Sequence, residues 1–362
     1  MQDTAGSLYR YLMIETLQSL RFIFFLMIFM SHFSYGGVRA FDAGGDCGVS
    51  FFFMLSGFVL SLAYADRIGS PSFRWRDFMC RRMLKLYPLH LLCLAAAVII
   101  GFRPHSATDC LWLVPNILLV QSWIPFSDFF FSGNAVSWFL SDILFCYAVF
   151  PLACRFVCGA SRRMLIVTGT MLSALYCVLL CVIPDALVVP LLYVCPLLRF
   201  VDFALGMLLW RVVCGGVVLR FLSSRSVATV TAIELVAAAI LVSVLVAYPY
   251  VPFRLRTACF FWLPSALVIL TFACSGSHGM LSRLFRLPVL VRLGNSVFPL
   301  FMVHTLAIGV VMAVAERVGG SSSLSWQAML CLSFALTLMG AKVVEVLAAG
   351  ITNRFVMTGN GN

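Results

Sequence analysis

The sequence predicts an all-α fold, a polytopic membrane helix bundle of about ten transmembrane helices with both termini in the cytoplasm. Composition is the first reason. Of 362 residues, 62% are hydrophobic and only 11% are charged, and mean hydropathy is +1.03. No soluble domain of this size has that balance. The second reason is segment length. Apolar runs of about 20 residues, enough to cross a bilayer, fall near 14–34, 46–65, 82–101, 137–157, 164–183, 190–212, 227–247, 257–274, 292–315 and 325–349. The third is charge. With the N-terminus inside, only Arg39, Arg103, Arg254, Arg256 and Arg317 fall on outer loops. Arg21, Arg199 and Lys342 lie within spans, and every other Lys and Arg falls inside, a strong positive-inside bias. The net charge of +11 is thus scattered topogenic charge with no basic stripe, so no nucleic-acid partner is expected and the lipid bilayer is. Residues 1–6 are neutral to acidic and no A-x-A-like site follows the first apolar run, so no cleavable signal peptide is expected. The chain reads as one membrane-embedded domain, 1–362, with a core at 14–349 and a polar tail at 350–362.

The first span, from about Leu17 to Phe33, carries Arg21 near one end and His32 near the other, among Phe, Ile, Leu and Met. Their spacing sets them within roughly 20° on one helical face and roughly 16 Å apart along it. Ionisable groups in hydrocarbon normally face a bundle interior or a wet cavity. The pair reads as a polar path partway through the membrane, or as Arg21 snorkelling to the headgroups with His32 at the opposite interface. A Gly-rich outer loop, Ser34–Gly45, then leads to the second span, where Ser56-Gly57 lets a neighbouring helix approach closely. The most basic loop follows and ends in Arg81-Arg82-Met-Leu-Lys85. Arg82 and Lys85 are i,i+3 and point the same way. Such a cluster suits anionic lipid headgroups or the phosphates of a nucleotide-like ligand equally.

The apolar run 111–124 contains Pro115, is followed by Pro125, and is too short to span; a re-entrant or interfacial segment is expected there. In the fourth span Trp138, Ser141 and Asp142 sit within one turn near the outer surface. Trp at an interface is ordinary, whereas a carboxylate one turn deeper marks a candidate polar group. Arg199 with Asp202, and Lys342 with Glu345, are i,i+3 pairs that read as structural ion pairs. His304 falls near mid-membrane in the ninth span, either as a helix-to-helix hydrogen-bonding group or as a functional one. Fourteen cysteines lie mostly singly in apolar runs without C-x-x-C. The i,i+4 pairs Cys154/Cys158 and Cys177/Cys181 read as packing residues, and no metal site is expected.

Five segments then stand in a telling order: Leu20-Arg21, ten residues and His32; Gly48-Val49 with Phe51-Phe52-Phe53 and Leu55-Ser56-Gly57-Phe58; Phe78 with Arg81-Arg82 and Lys85-Leu86-Tyr87-Pro88; Ser137-Trp138 with Ser141, Tyr147 and Phe150-Pro151; and Leu293-Gly294 through Leu300 to His304. Together they resemble the acyltransferase-3 family of integral membrane acyltransferases, the O-acetyltransferases of bacterial surface glycans and related acceptors. Two departures stand out. Lys85 replaces the second Arg of the family's Arg-x-x-Arg element, which keeps the charge and loses the bidentate fork. Asp142 stands one position before the glutamate found in many members, with Ile143 after it.

The resemblance implies a multi-pass protein of the inner (cytoplasmic) membrane that moves an acyl group, commonly acetyl from acetyl-coenzyme A, to a hydroxyl of a glycan or lipid-linked sugar. No permanently bound cofactor is implied; acyl-CoA is the donor substrate. Arg81, Arg82 and Lys85 are expected to hold it, Arg21 to receive its pantetheine or pyrophosphate end, and the thioester arm to follow the stripe toward His32. Acyl transfer to an alcohol needs a base and oxyanion donors. His32 is the expected base, His304 and Ser56 are candidates for orienting or oxyanion roles, and Trp138, Ser141 and Asp142 support the site. Direct transfer is expected, since no Ser or Cys stands out as a nucleophile. Two other classes compete. One is a transporter or flippase whose path is lined by Arg21, His32, Asp142 and His304; the other is a degenerate member acting as a sensor. Consumption of acetyl-coenzyme A separates them from the enzyme.

Overall fold

The computed structural model describes residues 2–35, 38–39, 41–101, 111–276, 278–319 and 325–359. Gly36, Gly37, Arg103, Met1 and residues 360–362 of the tail lie outside them. The chain begins with α1 (Gln2–His32), and a two-residue antiparallel pair, β1 (Ser34–Tyr35) and β2 (Val38–Arg39), turns it toward α2 (Ala43–Ile68). Then come α3 (Trp75–Gly101), α4 (Leu113–Leu118), α5 (Ser127–Phe130), α6 (Trp138–Gly159), α7 (Arg162–Val182), α8 (Pro196–Cys214), α9 (Val217–Ser223) and α10 (Val227–Ala247). The remainder is α11 (Phe253–Arg256), α12 (Trp262–Cys274), α13 (Met280–Leu284), α14 (Pro288–Asn295), α15 (Val297–Gly319) and α16 (Trp326–Gly359).

The fold is the expected all-α membrane bundle. Among the described residues, 7 helices are long and apolar enough to cross a membrane, or 8 if the bent pair Asp185–Tyr193 and Pro196–Cys214 is one span. One of the expected spans is short in the structure. With 13 residues, α12 reaches about 20 Å at 1.5 Å per residue, less than the hydrocarbon thickness.

Two of the expected spans and the shorter run 111–124 are also interrupted. A π-helical turn, Val188–Tyr193, precedes α8, and Pro196 at the head of α8 has no N–H to continue the ladder; the axis bends by 49° there. The run 292–315 divides into α14 and α15 around Ser296. The run 111–124 stops at Leu119, whose φ of 54° and ψ of 45° are left-handed, before a 3-10 turn at Gln121–Trp123.

Burial shows which helix is central. Of its most apolar stretch, 72% is buried in α2, against 11% in α7 and 17% in both α10 and α16, whose flanks are left uncovered by the rest of the protein. Helices in lipid associate through close packing rather than water exclusion, and α2 achieves this with glycine. A Cβ on Gly57 would overlap the Phe203 carbonyl of α8, and one on Gly206 of α8 would overlap the Met54 carbonyl of α2. The close approach foreseen at Ser56-Gly57 is therefore made by Gly57 with Gly206. Gly206→Val should lower stability by about 1–3 kcal/mol through overpacking, read as a fall in the midpoint of thermal inactivation in detergent; an unchanged midpoint would mean that α2 and α8 can separate freely.

The same device seats α1. Gly44 and Gly48 of α2 leave no room for a Cβ against Met27 and Ile28, and Gly294 of α14 is as close to the Gln18 backbone. Phe24 stacks on Phe51 with ring centroids 3.6 Å apart. The helix that carries Arg21 and His32 is thus clamped from two sides.

Candidate active site

His32 ends α1 and is exposed, whereas His304 of α15 is fully buried. Their rings meet edge to face with centroids 5.0 Å apart. The hydrogen bonds fix the tautomers, because a carbonyl oxygen only accepts. His304 Nδ1 lies 2.6 Å from the Phe301 carbonyl and so carries the proton. In the neutral ring, His304 Nε2 then offers a lone pair, and it lies 3.3 Å from His32 Nδ1. His32 Nδ1 also lies 2.9 Å from the Ile28 carbonyl, so it donates to both. The lone pair of His32 is left on Nε2. Two backbone carbonyls, each within one turn of its imidazole, thereby prepare an exposed base. Phe25 and Phe29 of α1 pack against the His304 ring. One residue further along α15, the Thr305 hydroxyl donates to Asn134, whose amide donates in turn to the Met302 carbonyl.

A membrane cavity of about 80 Å³ lies beneath this pair. At one end stand Arg21, Arg82 and Lys85; Phe52, Phe139, Leu140 and Ile143 form its walls; Ile28 and Phe301 close the other end. The residues whose carbonyls hold the imidazoles are therefore the residues that cap the cavity. Arg21 and Ile28 are separated by about 10 Å of helix. Among the described residues the cationic end holds no carboxylate: Arg21 donates to Gln18 at 3.0 Å, and the Arg82 guanidinium lies 5.0 to 5.6 Å from the rings of Tyr64, Phe78 and Tyr147. Arg82 Nε is buried without a hydrogen bond among the described residues. Cations held by aromatic faces keep their donors free for an anion.

The other sequence candidates divide. Ser56 lines the cavity. Arg81 does not; it is exposed and belongs to a separate hollow on the α2–α3 turn. Trp138 is buried against Tyr193 and Phe139 behind the cavity wall. Ser141 accepts a 2.6 Å hydrogen bond from Ser122, and Asp142 beside it is fully buried with neither carboxylate oxygen hydrogen-bonded among the described residues. Sequence reasoning passed over the partners of this polar group. They come from the 111–124 run, where Asn116, Gln121 and Ser122 are buried; polar residues inside that apolar run were the available signal. Among the described residues no three metal-ligating side chains come together.

A membrane helix bundle that closes over a cationic cavity beneath an oriented imidazole pair has the make-up of an integral membrane transferase. The acyltransferase domain family (Acyl_transf_3) matches residues 14–343, and the chain belongs to it: it is a multi-pass membrane acyltransferase. The chain is similar to acyltransferase MdmB of Streptomyces mycarofaciens, 32% identical over 281 residues that cover 73% of this chain and 68% of that relative. No solved structure matches it.

Proposed function

We propose that this protein, a single domain of the inner membrane with both termini in the cytoplasm, moves an acetyl or similar acyl group from cytoplasmic acyl-CoA directly to a hydroxyl of a cell-envelope carbohydrate or lipid-linked sugar. The observation that carries the reading is the cavity, with uncompensated cations at one end and a prepared imidazole just past the other. Arg82 and Lys85 take the diphosphate, and Arg21 guides the pantetheine arm upward. Gly48 packs at Ile28, so Ser56, two turns deeper along α2, stands beside the donor arm and not beside the reacting carbonyl.

His32 Nε2 accepts the proton of the attacking hydroxyl as its oxygen bonds to the thioester carbonyl. The carbon–sulfur bond then breaks, and the proton passes from His32 to the departing thiolate. During that exchange His32 is an imidazolium, and the Ile28 carbonyl and His304 Nε2 both accept from its Nδ1–H, which makes His304 a positioning residue. Removing one hydrogen bond to a charged group costs about 1.5–3 kcal/mol, or tenfold and more in rate. His304→Phe should lower kcat by that factor, leave the donor KM unchanged and shift the acidic limb of the pH–rate profile; a change in KM alone would remove His304 from this role.

The test of the function is transfer of labelled acetyl from acetyl-coenzyme A into cell-envelope carbohydrate by membranes bearing the protein. Label should reach the acceptor and never rest on the denatured protein. Hydroxylamine-labile label on the chain would replace direct transfer by a covalent intermediate, and no transfer to any of several acceptors would favour the transporter.

A further inference from the structure

Arg81 and Arg82 are neighbours in sequence, but each residue of α3 turns about 100° from the last, and the two enter different hollows. Arg82 faces the membrane cavity. Arg81 lines a hollow of about 450 Å³ on the α2–α3 turn, together with Arg67, Arg74, Tyr64, Phe73 and the carboxylates Asp66 and Asp77. None of the guanidinium groups of Arg67, Arg74 and Arg81 makes a hydrogen bond or ion pair among the described residues. Three guanidinium groups against two carboxylates leave one net positive charge. That suits one phosphate held by planar forks better than a field of headgroups, which rewards a larger excess of charge. The hollow borders the membrane cavity: Tyr64 lines the hollow, and the guanidinium of Arg82, which lines the cavity, sits 5.0 Å from the Tyr64 ring. A ligand that fills both hollows must carry a phosphate at its outer end, an aromatic or ribose group near Tyr64 and Phe73, and further anionic charge at Arg82.

We propose that the α2–α3 hollow is a second phosphate subsite, in which Arg67, Arg74 and Arg81 hold a phosphomonoester on the nucleoside end of the donor while Arg82 and Lys85 hold its diphosphate. The proposal rests on the coenzyme A reading above, since coenzyme A carries a 3′-phosphomonoester on the adenosine side of its diphosphate. It makes the enzyme a reader of that phosphate and not only of the thioester.

Two measurements test it on the full chain in phosphatidylcholine nanodiscs. The first compares acetyl-coenzyme A with acetyl-dephospho-coenzyme A, which lacks the 3′-phosphate. Wild type should prefer the former by about tenfold or more in kcat/KM, the effect of losing charge-assisted hydrogen bonds. The double variant Arg74→Ala with Arg81→Ala should bring acetyl-coenzyme A down to the dephospho level and leave the dephospho donor unchanged. Equal use of the two donors by wild type, or an equal loss on both in the variant, overturns the subsite. The second measurement is binding of adenosine 3′,5′-bisphosphate against adenosine 5′-monophosphate. Preferential binding that needs Arg74 and Arg81, in a protein that transfers no acetyl group, would keep the subsite and sink the donor reading instead. Abolition of that preference by phosphatidic acid in the nanodisc would show the hollow to be a lipid-headgroup site and overturn the proposal.

Discussion

His32→Ala should reduce acyl transfer by about 10²–10⁴-fold, the range a positioned general base contributes, without loosening the donor. The separation is physical. The cations that line the donor cavity, Arg21, Arg82 and Lys85, lie at its far end, eleven residues of α1 away in the case of Arg21, which is about 16 Å of rise. Donor KM should therefore stay near the wild-type value while kcat collapses. The Ile28 carbonyl and His304 Nε2 would lose their shared donor, but the His32 side chain itself is exposed at the end of α1, so folding should survive. The measurement is label incorporation at matched protein level with donor concentration varied. Full incorporation by the variant would make His32 structural and move the search for the base to His304.

Asp202→Ala should be among the most damaging changes outside the site, at about 3–5 kcal/mol of stability, the cost of stranding a buried charge. Arg199 is fully buried. Its guanidinium donates to Asp202 at 2.7 Å, to the Thr257 carbonyl at 2.7 Å, to the Tyr193 carbonyl at 2.5 Å and to Ser50 at 3.4 Å. Trp262 completes the group by donating to the other Asp202 oxygen. These bonds tie the broken span before α8 to α2 and to both sides of the turn into α12. Without Asp202 the carbonyls remain but the counter-charge is gone. Thermal unfolding followed by monodispersity in detergent should show an early loss. The double variant Arg199→Met with Asp202→Leu should recover much of it, because a buried ion pair is replaceable by apolar side chains of similar volume. If Asp202→Ala unfolded at the wild-type temperature, the pair would be a functional charge and no structural tie. By contrast the Lys342–Glu345 pair, at 3.2 Å with side chains 73% and 41% exposed, should tolerate removal of either partner with little change in stability.

The parts of the site that could be read from the chain are those that depend on one helix. Arg21 and His32 share a face because the helical repeat is local and regular. Arg199 with Asp202 and Lys342 with Glu345 pair for the same reason, three residues apart. Where a contact needs two helices, the sequence offered candidates without partners. His304 was one of five histidines in the chain, and only the packing of α15 beside α1 brings its Nε2 to His32 across 272 positions. Gly57 announced a close approach, but nothing local marks Gly206 as its opposite. Arg81, Arg82 and Lys85 formed one basic cluster on paper; the neighbours that α3 meets divide them between two hollows.

Composition and the spacing of apolar runs determined by themselves that the chain is an all-helical membrane protein, and a single helical repeat set the Arg21–His32 stripe. Those are properties of burial length and backbone geometry, which each segment satisfies alone. Only the tertiary structure decided which nitrogen of His32 is free, which cations share its cavity, and where Asp142 is buried. Each of those depends on carbonyls, rings and hydroxyls supplied by other helices, and packing, not periodicity, brings them together.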